Sequence, residues 1–170
     1  MLTPPFTPQS SNQNLPSIRL IPFEACLPLW EAKLWPNRKS KIETHSTMIY
    51  FVKGDLEVDM GVFNLPSWYY GAYVGRTLVG VNSGHLCSDG TARSRGLWVD
   101  PEHRRKGIGS SLLLHTANLA HRQHKATGIW SYPRQTSFPS YSKVGFLLTS
   151  EWTLSETSEA NAYCWLPFNS

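Results

Sequence analysis

Val99-Asp100-Pro101-Glu102-His103-Arg104-Arg105-Lys106-Gly107-Ile108-Gly109-Ser110 is the stretch from which the rest of the chain is read. Before it, Thr91 to Val99 has strand character. Asp100-Pro101 stops the strand, because proline restricts the residue before it and offers no N–H. From Gly107 to Lys125 the pattern turns helical, with Leu112, Leu113, Ala117 and Ala120 on one face. A strand thus ends in a basic turn that opens onto a helix. The first turn of a helix exposes unpaired N–H groups and the positive end of the dipole, which together attract an anion. Gly107 and Gly109 let the main chain approach a phosphate closely, and Arg104, Arg105 and Lys106 add positive charge. No Gly-Lys-Ser or Gly-Lys-Thr is present, and no third glycine follows in register, so neither a Walker loop nor a dinucleotide fingerprint is complete.

Working outward, Trp68–Val74, Thr77–Cys87 and Thr91–Val99 read as a three-strand antiparallel meander, joined by Gly75-Arg76 and by Ser88-Asp89-Gly90. Ile129–Tyr132 is a further strand, so the basic-turn helix crosses between two strands and predicts a βαβ unit with a parallel pair. A short helix over Phe138–Val144 follows, with Pro139 in its first turn and Gly145 ending it. Phe146–Trp152 and Ala160–Leu166 read as a closing antiparallel pair. Upstream, Ile18–Ile21 is a strand. Glu24–Trp35 is a helix with Leu27, Trp30 and Leu34 at helical spacing and Pro36 at its end. Asn37–Lys41 is basic and polar and reads as a loop or a helix start. Residues 47–66, broken by Gly54, Gly61 and Pro66, predict an irregular excursion near the substrate, with Met48–Val52 a strand or buried helical segment. Residues 1–16, dominated by Pro, Ser, Gln, Asn and Thr, read as a flexible arm, and residues 17–170 as one domain.

Composition agrees with a globular domain: 170 residues, 41% hydrophobic and 16% charged, support one core of useful size. The net charge of +4 and pI of about 9.1 favour an anionic partner, either nucleic acid or a small polyanion carrying several phosphates. Cys26, Cys87 and Cys164 are odd in number and widely spaced, which predicts reduced, packed thiols. No apolar run spans a membrane and no signal architecture opens the chain, so the cytoplasm is the expected compartment. His115, His121 and His124, and likewise His85-Leu86-Cys87, lack further ligands at fitting spacing, so no metal is expected.

Val99-Asp100-Pro101-x-x-Arg104-x-x-Gly107-x-Gly109 resembles the acetyl-CoA signature of the GNAT superfamily of N-acetyltransferases, in which Gln or Arg is followed two residues later by Gly and then, after one residue, by Gly or Ala. Downstream, Tyr141-Ser142-Lys143-Val144-Gly145-Phe146 resembles the family's Tyr-x-x-x-Gly-Phe segment. The resemblance covers roughly residues 17–168. It implies an α+β (α/β) fold: a mixed, mostly antiparallel sheet of six to seven strands, helices on both faces and a central βαβ unit. It further implies acetyl-CoA as co-substrate, with the pantetheine arm along Leu97, Trp98 and Val99 where that strand splays from the next. The pyrophosphate would rest on main-chain N–H groups from Arg104 through Arg105, Lys106, Gly107, Ile108 and Gly109 to Ser110. By the same resemblance Tyr141 is the general acid, since a phenol of pKa near 10 can protonate a departing thiolate whose acid has a pKa of about 8.5. The implied activity is acetyl transfer to a primary amine of a small molecule or peptide, by direct attack in a ternary complex. The alternative is a module that senses acetyl-CoA with little catalysis.

The sequence departs from the family in several places. Arg134 stands where an Asn is usual and Ser137 where an Ala is usual; Ser137 either bonds the cofactor or caps the following helix. The strand Thr91–Trp98 carries no carboxylate to deprotonate the amine, which leaves a water chain, His85, Asp55, Glu57 and Asp59 as alternatives. Arg93 and Arg95 share a strand face and are read as solvated, the alternative being attraction of an acidic acceptor. Trp68, Tyr69, Tyr70, Trp130 and Tyr132 are read mostly as core. Some of these aromatics, with Trp30 and Trp35, are candidates for walls of an acceptor pocket suited to a cationic amine. No dedicated nucleic-acid motif is present, and a monomer or homodimer is expected.

Overall fold

The computed structural model describes residues 15–49, 57–155 and 158–169. The proposed arm up to residue 14, the end of the Met48–Val52 segment, Gly54 and Asp55 lie outside the described residues. The chain begins with β1 (Ser17–Ile21) and α1 (Phe23–Leu29), which continues as a π-helical turn over Trp30–Leu34. The excursion then forms a small ladder of β2 (Met48–Ile49) with β3 (Glu57–Val58) and a 3-10 turn over Met60–Asn64. The meander is β4 (Ser67–Val74), β5 (Thr77–Leu86) and β6 (Ala92–Val99). After it come α2 (Ile108–Arg122), β7 (Gly128–Ser131), α3 (Phe138–Val144), β8 (Leu147–Leu148), β9 (Thr153–Ser155), β10 (Ser158–Asn161) and β11 (Cys164–Pro167).

Seven strands form one sheet in the order β1-β4-β5-β6-β7-β11-β8. Every pairing is antiparallel except β6 with β7, which is the parallel pair expected around the crossover helix α2. The closing antiparallel pair is present as β8 with β11, shorter than its sequence reading. β11 inserts between β7 and β8, and β9 pairs separately with β10. Thr153, Leu154 and Glu159 of this second pair are exposed, so no buried apolar stripe announced them.

Alternation along the strands divides the core between two faces. Tyr69, Val81 and Trp98 pack with Cys26 and Trp30 of the first helix on one face. Ala72, Val79, Ile108 and Leu112 meet on the other, and Trp68, Ala92, Leu113, Ala117, Tyr141 and Phe146 continue that layer under α2 and α3. A buried polar link pins α2 to the sheet: the Asn82 side-chain amide donates to Ser94 Oγ at 3.0 Å and to Thr116 Oγ1 at 2.9 Å. All three cysteines are free and buried, as their spacing predicted.

Candidate active site

The site starts from a break in the sheet. Opposite β5, the register slips so that Gly96 and Leu97 of β6 face the single residue Asn82, a β-bulge. Gly96 takes φ +76°, a left-handed conformation that glycine adopts without Cβ strain. Its carbonyl accepts the Trp30 indole N–H at 2.9 Å. On the β7 side, β6 pairs only at Ala92 and Arg93, with Ile129 and Trp130. Beyond Arg93 the two strands part, and Leu97, Trp98 and Val99 border the opening.

That opening leads into a cleft of about 640 Å³ that runs to the start of α2. Its lining includes Arg104, Arg105, Gly107, Ile108, Gly109, Ser110 and Ser137. Lys106 is exposed and does not line it. Gly107, the N-cap of α2, has φ +79° and no side chain caps the helix, so the first-turn N–H groups of α2 are not used by a capping side chain. Arg105 is also left-handed, at φ 62°. Changes of handedness within a short turn tilt successive N–H groups toward one point and make a concavity for an anion. Lys33, Arg104, Arg105, Arg134 and Lys143 border this cleft against one carboxylate, Glu159. Arg104 is folded back, with its Nε donating to the Val99 carbonyl at 2.9 Å. The cleft therefore fits a polyphosphate head at the helix end and an extended arm along β6.

Gly109 is held by space rather than by torsion. A Cβ there would stand 3.0 Å from Ser140 Oγ, so α2 and α3 close tightly behind the loop. Ser137 precedes α3 but makes no capping bond, and its residue lines both the large cleft and the smaller one described next. Of the two alternatives for Ser137, capping is thus not observed.

A smaller cavity of about 90 Å³ lies at the parting of β6 and β7 and shares Leu34, Leu97, Arg134 and Ser137 with the larger cleft. Tyr141 lines it and is only 3% exposed. The Ser131 hydroxyl stands 3.4 Å from the Tyr141 hydroxyl and donates to the Ser94 carbonyl at 2.8 Å. Because Ser131 has one proton and spends it on Ser94, the phenol is the donor toward Ser131. Burial pushes the Tyr141 pKa above its ordinary value. The phenol is therefore held protonated. Ser131 and Ser94 were not foreseen: a serine at the end of a short strand carries no sequence signal that separates it from any other.

One expectation is corrected here, the solvation of Arg93 and Arg95. Arg95 is not solvated: it is 5% exposed, stacks on Trp30 and Trp35 with its guanidinium 5.2 and 5.1 Å from the ring centres, and donates to the Glu43 carbonyl at 2.8 Å. Arg93 is partly buried, lies 4.7 Å over Trp130 and donates to the Ser46 hydroxyl. Of the aromatics read as candidate pocket walls, Trp35 and Tyr132 line the smaller cavity, while Trp30, Trp35 and Trp130 each lie against a protein guanidinium. Of the alternatives for the base, His85 and Asp59 are committed to structure. The His85 Nε2 accepts the Ser46 N–H at 3.2 Å and its Nδ1 donates to the Leu86 carbonyl at 2.9 Å. Asp59 accepts from the Ser88 hydroxyl and amide and from the Gly61 amide, at 2.6, 2.8 and 3.1 Å. Burial alone would raise the Asp59 pKa, but these bonds outweigh it and lower it. The backbone of Glu57 lies in β3. The histidines on and just after α2 also have structural neighbours: His121 stacks on Phe168, His124 on Trp68, and His115 bonds the Ser111 carbonyl.

The family model of the acetyltransferase (GNAT) domain matches residues 66–147, from the start of β4 to the start of β8. The chain carries a GNAT acetyltransferase domain. Solved structures share the fold over most of both chains. They include an IAA acetyltransferase from Bacillus cereus, with a TM-score of 0.61, 15% identity, and 90% of this chain and 99% of that one covered. A GNAT-family acetyltransferase from Staphylococcus aureus gives a TM-score of 0.58 at 16% identity, covering 89% and 98%. An acetyltransferase from Bacillus subtilis in complex with CoA gives 0.51 at 16% identity, covering 66% of this chain and 95% of that one. A comparison with curated proteins finds no match. The GNAT model thus spans the bulge, the parted strands, the basic turn and Tyr141 together. Among the described residues no helix is long and apolar enough to cross a membrane, and no group of three or more His, Cys, Asp or Glu is placed to hold a metal.

Proposed function

We propose that this GNAT domain moves an acetyl group from acetyl-CoA to a primary amine, with Tyr141 protonating the departing thiolate. One observation carries the reading: the cleft from the uncapped start of α2 runs along Leu97–Val99 and meets, at the parting of the strands, the cavity that Tyr141 lines. The phosphates would lie on the N–H groups from Arg104 to Ser110, with Lys143 adding charge, and the pantetheine arm on Leu97, Trp98 and Val99. Ser137, free of capping duty, would offer its hydroxyl to the donor where the two spaces join. A protonated phenol suits an acid that acts once the thiolate leaves. No carboxylate borders the smaller cavity among the described residues, and we assign loss of the amine's proton to solvent.

Mixing the protein with acetyl-CoA and a panel of amines, while following free thiol and measuring acetyl-CoA binding by calorimetry, tests this. Binding together with amine-dependent thiol release is the expected result. Binding without turnover on any amine would leave a sensing role in place of transfer. No binding would overturn the assignment of the cleft.

A further inference from the structure

Resting on the acetyl-transfer reading, we propose that the smaller cavity takes an acceptor amine that carries a carboxylate or phosphate group, held by Arg93, Arg95 and Arg134. All three guanidinium-bearing residues line this cavity, and among the described residues no Asp or Glu lines it. Among the described residues, the ion pairs are Lys41–Glu43 and His103–Asp100, so none of the three arginines is ion-paired to a carboxylate, and Glu43 acts on Arg95 only from longer range. Their observed bonds are to neutral oxygens: Arg95 to the Glu43 carbonyl, Arg93 to the Ser46 hydroxyl and Arg134 to the Leu34 carbonyl. A guanidinium has five N–H donors, so most of the capacity of each is unspent. The Arg93 Nε is buried without a hydrogen-bond partner. A buried, unanswered donor on a cation is costly for a protein to keep, which points to a ligand that supplies the missing oxygen.

The aromatic rings explain why the arrangement survives without an anion. Trp30 and Trp35 hold Arg95, and Trp130 holds Arg93, through cation–π contacts that fix where each guanidinium lies. A guanidinium fork held in place matches the paired oxygens of a carboxylate or phosphate. The exposed Arg38, stacked on Trp35 at 5.4 Å, adds a fourth positive charge nearby. Burial, joined by mutual repulsion with Arg93 and Arg38, pulls the Arg95 pKa down to about 9. Arg93 and Arg95 border only the smaller cavity, Arg104, Arg105 and Gly107 border only the larger cleft, and Arg134 stands where the two join. The two positive regions therefore have separate places, one for the donor's phosphates and one beside Tyr141 for the acceptor.

The test uses the whole protein at saturating acetyl-CoA. Amino acids are paired with their carboxamides, and phosphoethanolamine with ethanolamine, and kcat/KM is read from thiol release. We expect the anionic member of at least one pair to exceed its neutral partner tenfold or more, and which pair does so distinguishes carboxylate from phosphate. Arg95→Gln should cut that preference at least tenfold and Arg95→Lys less, with acetyl-CoA affinity within twofold of the parent as evidence of an intact fold. Arg93→Gln gives an independent variant should Arg95→Gln not fold. Equal use of both members in every pair, or a preference that survives both glutamine variants, would overturn the proposal while leaving acetyl transfer standing. If no amine is acetylated, transfer itself fails. Succinate and inorganic phosphate are then titrated into the CoA-saturated protein: binding lost in Arg95→Gln upholds the anion site, and no binding overturns it.

Discussion

The Phe146 N–H donates to the Tyr141 carbonyl at 3.1 Å, and the two rings meet edge to face with centroids 5.3 Å apart. This bond closes the C-terminus of α3 through Gly145, whose φ of 114° lets the chain reverse. The spacing of Tyr141, Gly145 and Phe146 is therefore a helix-capping rule that also fixes the tyrosine. A Cβ at residue 145 meets Leu166 at an ordinary 3.4 Å, so torsion rather than space restricts it. Gly145→Ala should destabilise the protein by about 1–3 kcal/mol. A urea midpoint unchanged from the parent would show that the left-handed turn does not matter.

Tyr141→Phe keeps the ring that packs against Phe146 and removes only the hydroxyl facing Ser131. Acetyl-CoA affinity should stay within about twofold, while kcat falls by roughly a hundredfold or more, the usual range for a lost general acid. Because burial raises the Tyr141 pKa, the phenol should not ionise as pH rises from 7 toward 10. The parent's kcat should then show no downward limb in that range from loss of this proton. Steady-state kinetics of both proteins across that range provide the check.

Gly107→Ala and Gly107→Glu separate torsion from charge. At φ +79° with only Lys143 Nζ near a Cβ, at 3.9 Å, either side chain strains the turn but enters open space. Each should cost about 1 kcal/mol of stability. Only the glutamate places a negative charge before the start of α2, and it should weaken acetyl-CoA tenfold or more relative to alanine. Equal affinities in the two variants, read by calorimetry, would remove the phosphates from this turn.

How far the sequence could be read follows from the range of the interactions involved. The meander, α2 and α3 were legible because turn residues, proline stops and a helical apolar stripe are local signals. The antiparallel insertion of β11 between β7 and β8 was not, since strand order is settled by contacts far apart in sequence. At the site, Gly107, Gly109 and Tyr141 stood in recognisable spacing. The burial of Arg93 and Arg95 had no such mark: alternation placed both on one face, but not that indoles from the π-turn, the residue after it and β7 would cover that face. Ser131 came to Tyr141 only through the approach of α3 to β7.

Gly96→Ala tests the bulge itself. The added Cβ would lie 2.4 Å from the Trp30 ring, and the residue is left-handed as well. Clash and torsion act together, so a loss of about 3 kcal/mol or more is expected. Trp30→Leu costs stability on its own by emptying a fully buried site. In the double variant the combined loss should fall short of the sum of the two, because the methyl added at position 96 no longer meets the indole. Full additivity in a double-mutant cycle would mean that Trp30 does not confine Gly96.

His85 makes the fold sensitive to acid. Burial, opposed by the Leu86 hydrogen bond and reinforced by Arg93, His45 and Arg95, lowers its pKa to about 3. The native ring stays neutral with its proton on Nδ1, while the unfolded chain takes up a second proton below about pH 6.5. Between those values the unfolded state binds more protons, so stability rises with pH. The contribution of neutral His85 is complete above about pH 6.5 and is lost as pH falls toward 3. From pH 7 to pH 5 this amounts to about 2 kcal/mol. His45, lowered chiefly by burial, acts in the same direction. Urea unfolding at the two pH values should show His85→Gln starting weaker at pH 7 but losing about 2 kcal/mol less than the parent on acidification. Parallel losses in the two proteins would show that the native His85 accepts a proton near its ordinary pKa, and that the Ser46 N–H bond to Nε2 does not hold it neutral.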